Sequence, residues 1–207
     1  MSDGKRKRRI KLGIFGGSFN PVHLGHVQAV QLFKARLKLD QIIVLPSAAP
    51  FYKTTLRTEF WHRVAMCRLA FRDIRDVTVS DLEKIQPEGM YTRDVVMLMR
   101  DLHSDAALYL LMGSDVLNRM PQWKGLQEML KDIRIGALRR NAEPDAGQAL
   151  IDMGAGITFL DAEILPFSSS MIREAVSRGN SVDLPVPESV AAYIRSHRLY
   201  KDERGYT

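Results

Sequence analysis

Cysteine is almost missing from this chain: Cys67 is the single one in 207 residues. One thiol cannot close an intramolecular disulfide, and a chain of this size buries roughly 70% of its unfolded surface, so its core needs no staple. Both features point to a reducing, cytoplasmic setting. Long hydrophobic runs are also missing. None approaches the ~18 apolar residues of a membrane span. The first apolar stretch, after residue 9, is too short and too glycine-rich for the core of a signal peptide. What remains is ordinary globular composition, with 45% hydrophobic and 26% charged residues, which excludes collagen-like and wholly disordered chains. Length suggests one large domain, with room for a small appendage.

Acidic residues are outnumbered, 24 against 30 Lys and Arg, and the net charge is +6. That excess is local. Lys5, Arg6, Lys7, Arg8, Arg9 and Lys11 face only Asp3, so the opening segment holds +5 of the +6. Residues 1–9 read as a solvated basic arm, with RNA or an acidic partner as the minority reading. Residues 10–207 then form one nearly neutral domain.

Within that domain, strands alternate with helices. Apolar runs predict strands at 11–16, 41–46, 77–79, 107–112, 133–138 and 157–160. Helical periodicity predicts helices at 23–39, 58–71 with Thr58 as N-cap, 92–102, 117–130 broken near Pro121, 169–178 and 187–197. Residues 141–156, rich in Ala, Gly and Asp, carry no clear pattern. The alternation implies an α/β doubly wound parallel sheet, with about 167–207 as a small C-terminal helical lobe.

The stretch Gly16-Gly17-Ser18-Phe19-Asn20-Pro21-Val22-His23-Leu24-Gly25-His26 ends the first strand and opens the first helix. In an open parallel sheet, ligands bind beyond the carboxyl ends of the strands. Two glycines let the backbone approach an anion, and a helix start offers free N–H groups and a positive dipole end. His23 and His26, three apart, share one face of the first turn and can both donate to a phosphate. The stretch is not a G-x-G-x-x-G, and no Gly-Lys-Ser/Thr follows to make a P-loop. A His-x-x-His pair also suits zinc, yet neither a cysteine nor an obvious third ligand accompanies it. Near the other end of the chain, Ser168-Ser169-Ser170-Met171-Ile172-Arg173 combines hydroxyls, a helix start and a guanidinium, which suits a triphosphate; alone, such serines are also ordinary caps.

Together these segments resemble the two signatures of the nucleotidylyltransferase superfamily: H-x-G-H, and Ser-Ser/Ala-Thr-x-Ile-Arg with serine here in place of threonine. That resemblance implies a Rossmann-like sheet and nucleotide transfer from a nucleoside triphosphate. Further segments are similar to bacterial nicotinate-nucleotide adenylyltransferases over nearly everything after the arm. These are Pro46, Pro50 and Lys53; Arg63 with 66–70; Tyr91-Thr92 with Asp94; Gly113-Ser114-Asp115 with Pro121 and Trp123; and the ending 187–200. The chain departs from that pattern at Phe51-Tyr52, Met90 and Asn141-Ala142.

The resemblance implies an adenylyltransferase that joins nicotinic acid mononucleotide to AMP from ATP, giving deamido-NAD and pyrophosphate. Gly16, Gly17, Ser18, Phe19, His23, His26, Ser169, Ser170 and Arg173 are then expected to bind ATP. The catalytic positions are His23, His26, Lys53 and Arg173. Asn20, Lys53, Tyr91, Thr92, Asp115 and Trp123 are expected to bind the mononucleotide. Trp123 has core packing as its other reading, and Asp115 a helix N-cap. Mg2+ is expected with ATP as the co-substrate, held mostly by phosphates and water rather than by a protein cage. The expected partners are the two nucleotides, with no membrane and no nucleic acid; homo-oligomerisation is left open. Nicotinamide mononucleotide is the alternative substrate, and a non-catalytic RNA-binding module led by the arm is the remote one.

Overall fold

The apolar runs all form strands, because each is long enough to cross a sheet whose two faces are both covered. The computed structural model describes residues 8–48, 58–84, 91–139, 147–163, 165–180 and 182–201. The strands are β1 (Lys11–Gly17), β2 (Gln41–Pro46), β3 (Val77–Val79), β4 (Ala107–Gly113), β5 (Ile133–Arg139) and β6 (Ile157–Asp161). They join one sheet in the order β3-β2-β1-β4-β5-β6, and every pairing is parallel. Ile14 sits between Ile43 and Leu110 in register, so β1 is central. The order reverses between β1 and β4, and such a switch point opens a crevice at the strands' carboxyl ends.

The helices are α1 (Leu24–Arg36), α2 (Phe60–Phe71), α3 (Thr92–Leu102), α4 (Ser114–Leu117), α5 (Leu126–Leu130), α6 (Gln148–Asp152), α7 (Ser169–Ser177) and α8 (Glu188–Ser196). On one face Val30 and Phe33 of α1 share a core with Met66 and Cys67 of α2, Ile172 of α7 and Ile194 of α8. On the other face Val96 and Met99 of α3, Leu126 and Met129 of α5 and Leu150 of α6 cover Ile14, Leu110 and Ile135. The sheet is therefore wound on both sides, as the alternation of elements implies. No described helix is long and apolar enough to cross a membrane.

Several boundaries differ from expectation for local reasons. The first helix stops at Arg36 rather than 39, because Lys38 turns left-handed at φ 52°. The second starts after Glu59, so Thr58 is not its N-cap. The expected helix over 117–130 is instead α4, a 3-10 turn Met120–Gln122 and α5. Pro121 opens the 3-10 turn, and Gly125 at φ +69° resets the chain before α5. Residues without a clear pattern contain α6, and a 3-10 turn Leu82–Lys84 was not anticipated. Of the basic arm, Arg8 pairs with Asp40 and Arg9 reaches the Ser104 and Asp105 carbonyls. Residues 1–7 lie outside the described residues.

Close packing of α1 depends on two strand glycines that flank Leu111 of β4. Its two methyls sit over Gly13 on one side and Gly136 on the other, and Leu37 fills the space above Gly136. A Cβ on Gly136 would stand 2.7 Å from Leu37 Cδ1 and 3.0 Å from Leu111 Cδ2. Gly136→Ala is expected to lower unfolding free energy by about 1–3 kcal/mol through overpacking, read from the urea midpoint.

Candidate active site

At the carboxyl edge of β1, the chain runs through Gly16, Gly17 and Ser18 before α1 begins. Gly16 is exposed and a Cβ there would meet nothing within 4 Å, so space lies open over this strand end. Phe19 adopts φ 43°, a left-handed conformation that costs a non-glycine residue about 1–3 kcal/mol. Burial of its ring, 2% exposed, offsets that cost. The ring lies edge-on to Phe15 at 5.6 Å and to His26 at 5.0 Å. Phe19 thus supports His26 rather than presenting its own side chain.

His23 caps α1 with an extended backbone, and its own N–H donates to His26 Nδ1 at 3.2 Å. A backbone amide can only donate, so Nδ1 accepts and the proton of neutral His26 resides on Nε2. His26 is therefore a preset Nε2–H donor at a helix start. The two imidazoles lie 3.7 Å apart between centroids. Gly25 makes that proximity feasible, since a Cβ there would come 3.1 Å from His23 Nδ1 and 3.2 Å from the Leu165 carbonyl oxygen.

The second signature is bolted to the first. Ser169 Oγ donates to the Pro21 carbonyl at 2.8 Å, and Arg173 Nη1 donates to the Asn20 carbonyl at 2.8 Å. Tyr200 Oη donates to Asn20 Oδ1 at 2.8 Å. Ser168 is the true cap of α7, accepting from the Met171 N–H at 3.2 Å. These contacts redistribute the expected roles. The hydroxyl proton of Ser169 goes to Pro21, which ties the start of α7 to that turn. Ser170 Oγ accepts from Arg173 Nη2 at 3.3 Å and keeps its own proton to donate. Asn20 is buried and engaged on both its carbonyl groups, which makes it a junction of the scaffold.

A further wall lies across the switch point. Asp115 is exposed in the first turn of α4 at the end of β4, with Gly113 rather than Asp115 in the cap position. Tyr91 precedes α3, and its N–H donates to Asp94 Oδ2 at 3.1 Å, so this amide is committed within the helix start. Thr92, the first residue of α3, retains an N–H that has no partner inside the helix. Lys124 Nζ stands 4.9 Å from the centre of the Tyr91 ring, which joins the α3 start to the segment carrying Trp123. Trp123 is half-buried against the core of that face. Lys53, Phe51, Tyr52, Met90 and Asn141-Ala142 lie outside the described residues.

Two supporting residues lie outside the expected site residues: Gln28, which belongs to no motif, and Arg63, which belongs to a segment that carries the resemblance. Gln28 of α1 receives the Leu165 N–H on Oε1 and donates Nε2 to the Glu163 carbonyl, both at 2.9 Å, fixing the approach to α7. Arg63 is almost wholly buried on α2, a cation amid Phe60, Val64 and Cys67. That misplaced charge was the legible signal. Cys67 beside it is inert, because burial pushes its thiol pKa up.

Two helix starts, two histidines, a hydroxyl and a guanidinium meet over the switch point of a 3-2-1-4-5-6 parallel sheet. The chain belongs to the cytidylyltransferase-like family, whose profile matches residues 14–175, and within it to the nicotinate-nucleotide adenylyltransferases. A protein of Gemmatimonas aurantiaca named probable nicotinate-nucleotide adenylyltransferase is 35% identical over 93% of both chains. One of that name from Exiguobacterium sibiricum is 33% identical over 92% of this chain and 99% of its own. The fold is also that of a solved nicotinic acid mononucleotide adenylyltransferase of Plasmodium falciparum complexed with NaAD. That match has a TM-score of 0.77 at 20% identity, covering 92% of this chain and 97% of the other.

Gly25→Ala tests the histidine pairing. The variant is expected to melt near the wild type yet lose most of its turnover, because the methyl group displaces the His23 ring. Unchanged turnover with a normal melting curve would contradict that geometry.

Proposed function

We propose that this chain transfers AMP from ATP to nicotinic acid mononucleotide, forming deamido-NAD and pyrophosphate. The observation that carries the reading is the joining of the His23–His26 turn to the start of α7 through Asn20 and Pro21. It brings donors from both signature segments to one turn, which suits a triphosphate better than a lone phosphate. Named relatives at 33–35% identity over almost the whole chain support the same reaction.

In this reading a 5′-phosphate oxygen of the mononucleotide attacks the α-phosphorus of ATP in line. The bond to the bridging oxygen breaks, and pyrophosphate leaves with that electron pair. The attacking group is already an anion, so no general base and no covalent intermediate are needed. Rate enhancement comes from positioning and from stabilising charge on the reacting phosphoryl oxygens. His26 donates Nε2–H to the α-phosphate, and His23 assists beside it. Arg173, Ser170 and the amides at the start of α7 hold the β- and γ-phosphates, while Gly16 leaves room for the chain of phosphates and Gly17 gives its side-chain space to the Phe19 ring. Lys53 adds positive charge from its own segment.

Asp115 takes ribose hydroxyls, Trp123 stacks on the pyridine ring, and the Thr92 amide meets the nicotinate carboxylate. Lys124 brings positive charge to the same wall, which favours the carboxylate of nicotinate over the neutral amide of nicotinamide. Mg2+ bound with ATP would supply neutralising charge to the triphosphate, held mostly by phosphate oxygens and water. These substrates are cytoplasmic metabolites, and the reading places the enzyme there.

Pyrophosphate release with ATP and each mononucleotide tests the reaction, with nicotinate expected to give the larger kcat/KM. Removing one preorganised donor costs about 10²–10³ in kcat, and His26→Ala is expected to fall in that range while remaining folded. Near-wild-type turnover in that variant would remove His26 from the mechanism.

A further inference from the structure

Arg63 is the largest fully buried side chain in the described core, at 1% exposure. Burying a guanidinium is costly unless its charge is compensated and its N–H groups are used. Arg63 Nη1 donates to the Ser18 carbonyl at 2.7 Å, and Nη2 lies 3.5 Å from the Ala48 carbonyl. These two carbonyls follow the ends of neighbouring strands: Ser18 leaves β1 and Ala48 leaves β2. Glu83, in the 3-10 turn after β3, accepts the Ala48 N–H at 3.0 Å. A planar guanidinium and a carboxylate thus grip three adjacent strand ends at the edge where the phosphates are read.

We propose that Arg63 and Glu83 are positioning residues for this site, setting the turn at residues 16–18 for the triphosphate only while Glu83 supplies the counter-charge to Arg63. The inference rests on the adenylyl-transfer reading. Neither residue touches substrate; each acts through the Ser18 and Ala48 backbone.

The electrostatics agree with that geometry. Desolvation pushes the Glu83 pKa up, the Ala48 amide and the Arg63 charge pull against it, and the balance stands at about 7. Burial lowers the Arg63 pKa, and the groups acting against that are Cys67, Tyr200 and Glu83. Cys67 stays a thiol because burial raises its pKa, and Tyr200 keeps its proton to donate to Asn20. Glu83 is therefore the acid among these groups that can balance Arg63 near neutral pH. Above pH 7 the pair is charge-balanced; below it Arg63 is left buried without its counter-ion.

Stability moves the other way. A carboxyl whose folded pKa lies above its unfolded value holds an extra proton between about 4.5 and 7, so wild-type stability falls as pH rises through that window. Glu83→Gln keeps an acceptor for the Ala48 N–H and removes the titration, so this pH dependence is expected to flatten.

The test compares kcat/KM for ATP in wild type and Glu83→Gln from pH 6 to 8.5, with Arg63→Lys as the second variant. Taking the ratio of wild type to variant cancels ionisation of the substrate phosphates. The expected ratio is near unity at pH 6 and about tenfold above pH 8, since small misplacements of reacting groups cost rate steeply. Arg63→Lys keeps the charge but loses the fork, and its loss is expected at every pH. A pH-independent ratio near one for Glu83→Gln, with Arg63→Lys at wild-type rates, would overturn the inference while leaving the reaction intact. A wild type that forms no dinucleotide would instead overturn the function on which the inference rests.

Discussion

The site depends on one junction: the Asn20-Pro21 turn, which receives Arg173, Ser169 and Tyr200 from the far end of the chain. The partners are separated by 148 to 180 positions in sequence. Neither half of the cradle is complete alone. The turn at the end of β1 presents histidines and a glycine opening, and α7 presents amides, a hydroxyl and a guanidinium. Hydrogen bonds to the Asn20 and Pro21 carbonyls set the distance between them. Because these carbonyls are buried, leaving either unpaired costs roughly 1–3 kcal/mol, which makes the docked geometry strongly preferred.

The same economy recurs across the sheet edge. Polar groups here are aimed at main-chain partners: buried Arg63 at the Ser18 carbonyl, and half-buried Glu83 at the Ala48 amide and Gln28 at Glu163 and Leu165. In His26, Nδ1 is occupied by the His23 amide and Nε2 is thereby assigned to donate. Preorganisation of this kind suits a reaction whose nucleophile needs no activation and whose barrier lies in gathering negative charge at one phosphorus.

Much of this was legible in the sequence. Continuous apolar runs located all six strands, because a sheet covered on both faces requires them. The H-x-G-H and Ser-Ser-Ser-x-Ile-Arg segments located the two helix starts, because their residue types suit phosphate and their ends are marked by Gly, Pro and Ser. What escaped were features set by tertiary contact. Nothing in the sequence pairs the Ser169 hydroxyl with the Pro21 carbonyl, 148 positions away. Nor does it pair Asn20 with Arg173 and Tyr200, which come from the far end of the chain. The break between α4 and α5 was half legible, since Pro121 marks it but the left-handed Gly125 does not announce itself. Glu83 carries no motif at all, and its partner is brought to it only by the parallel order of β1, β2 and β3.

The central claim is that one triphosphate spans both helix starts. A crystal structure with a non-hydrolysable ATP analogue measures this directly. The account predicts the α-phosphate within hydrogen-bond distance of His26 Nε2, and the β- and γ-phosphates at the start of α7 against Arg173 and Ser170. An analogue whose triphosphate contacts only one of these two helix starts would contradict it.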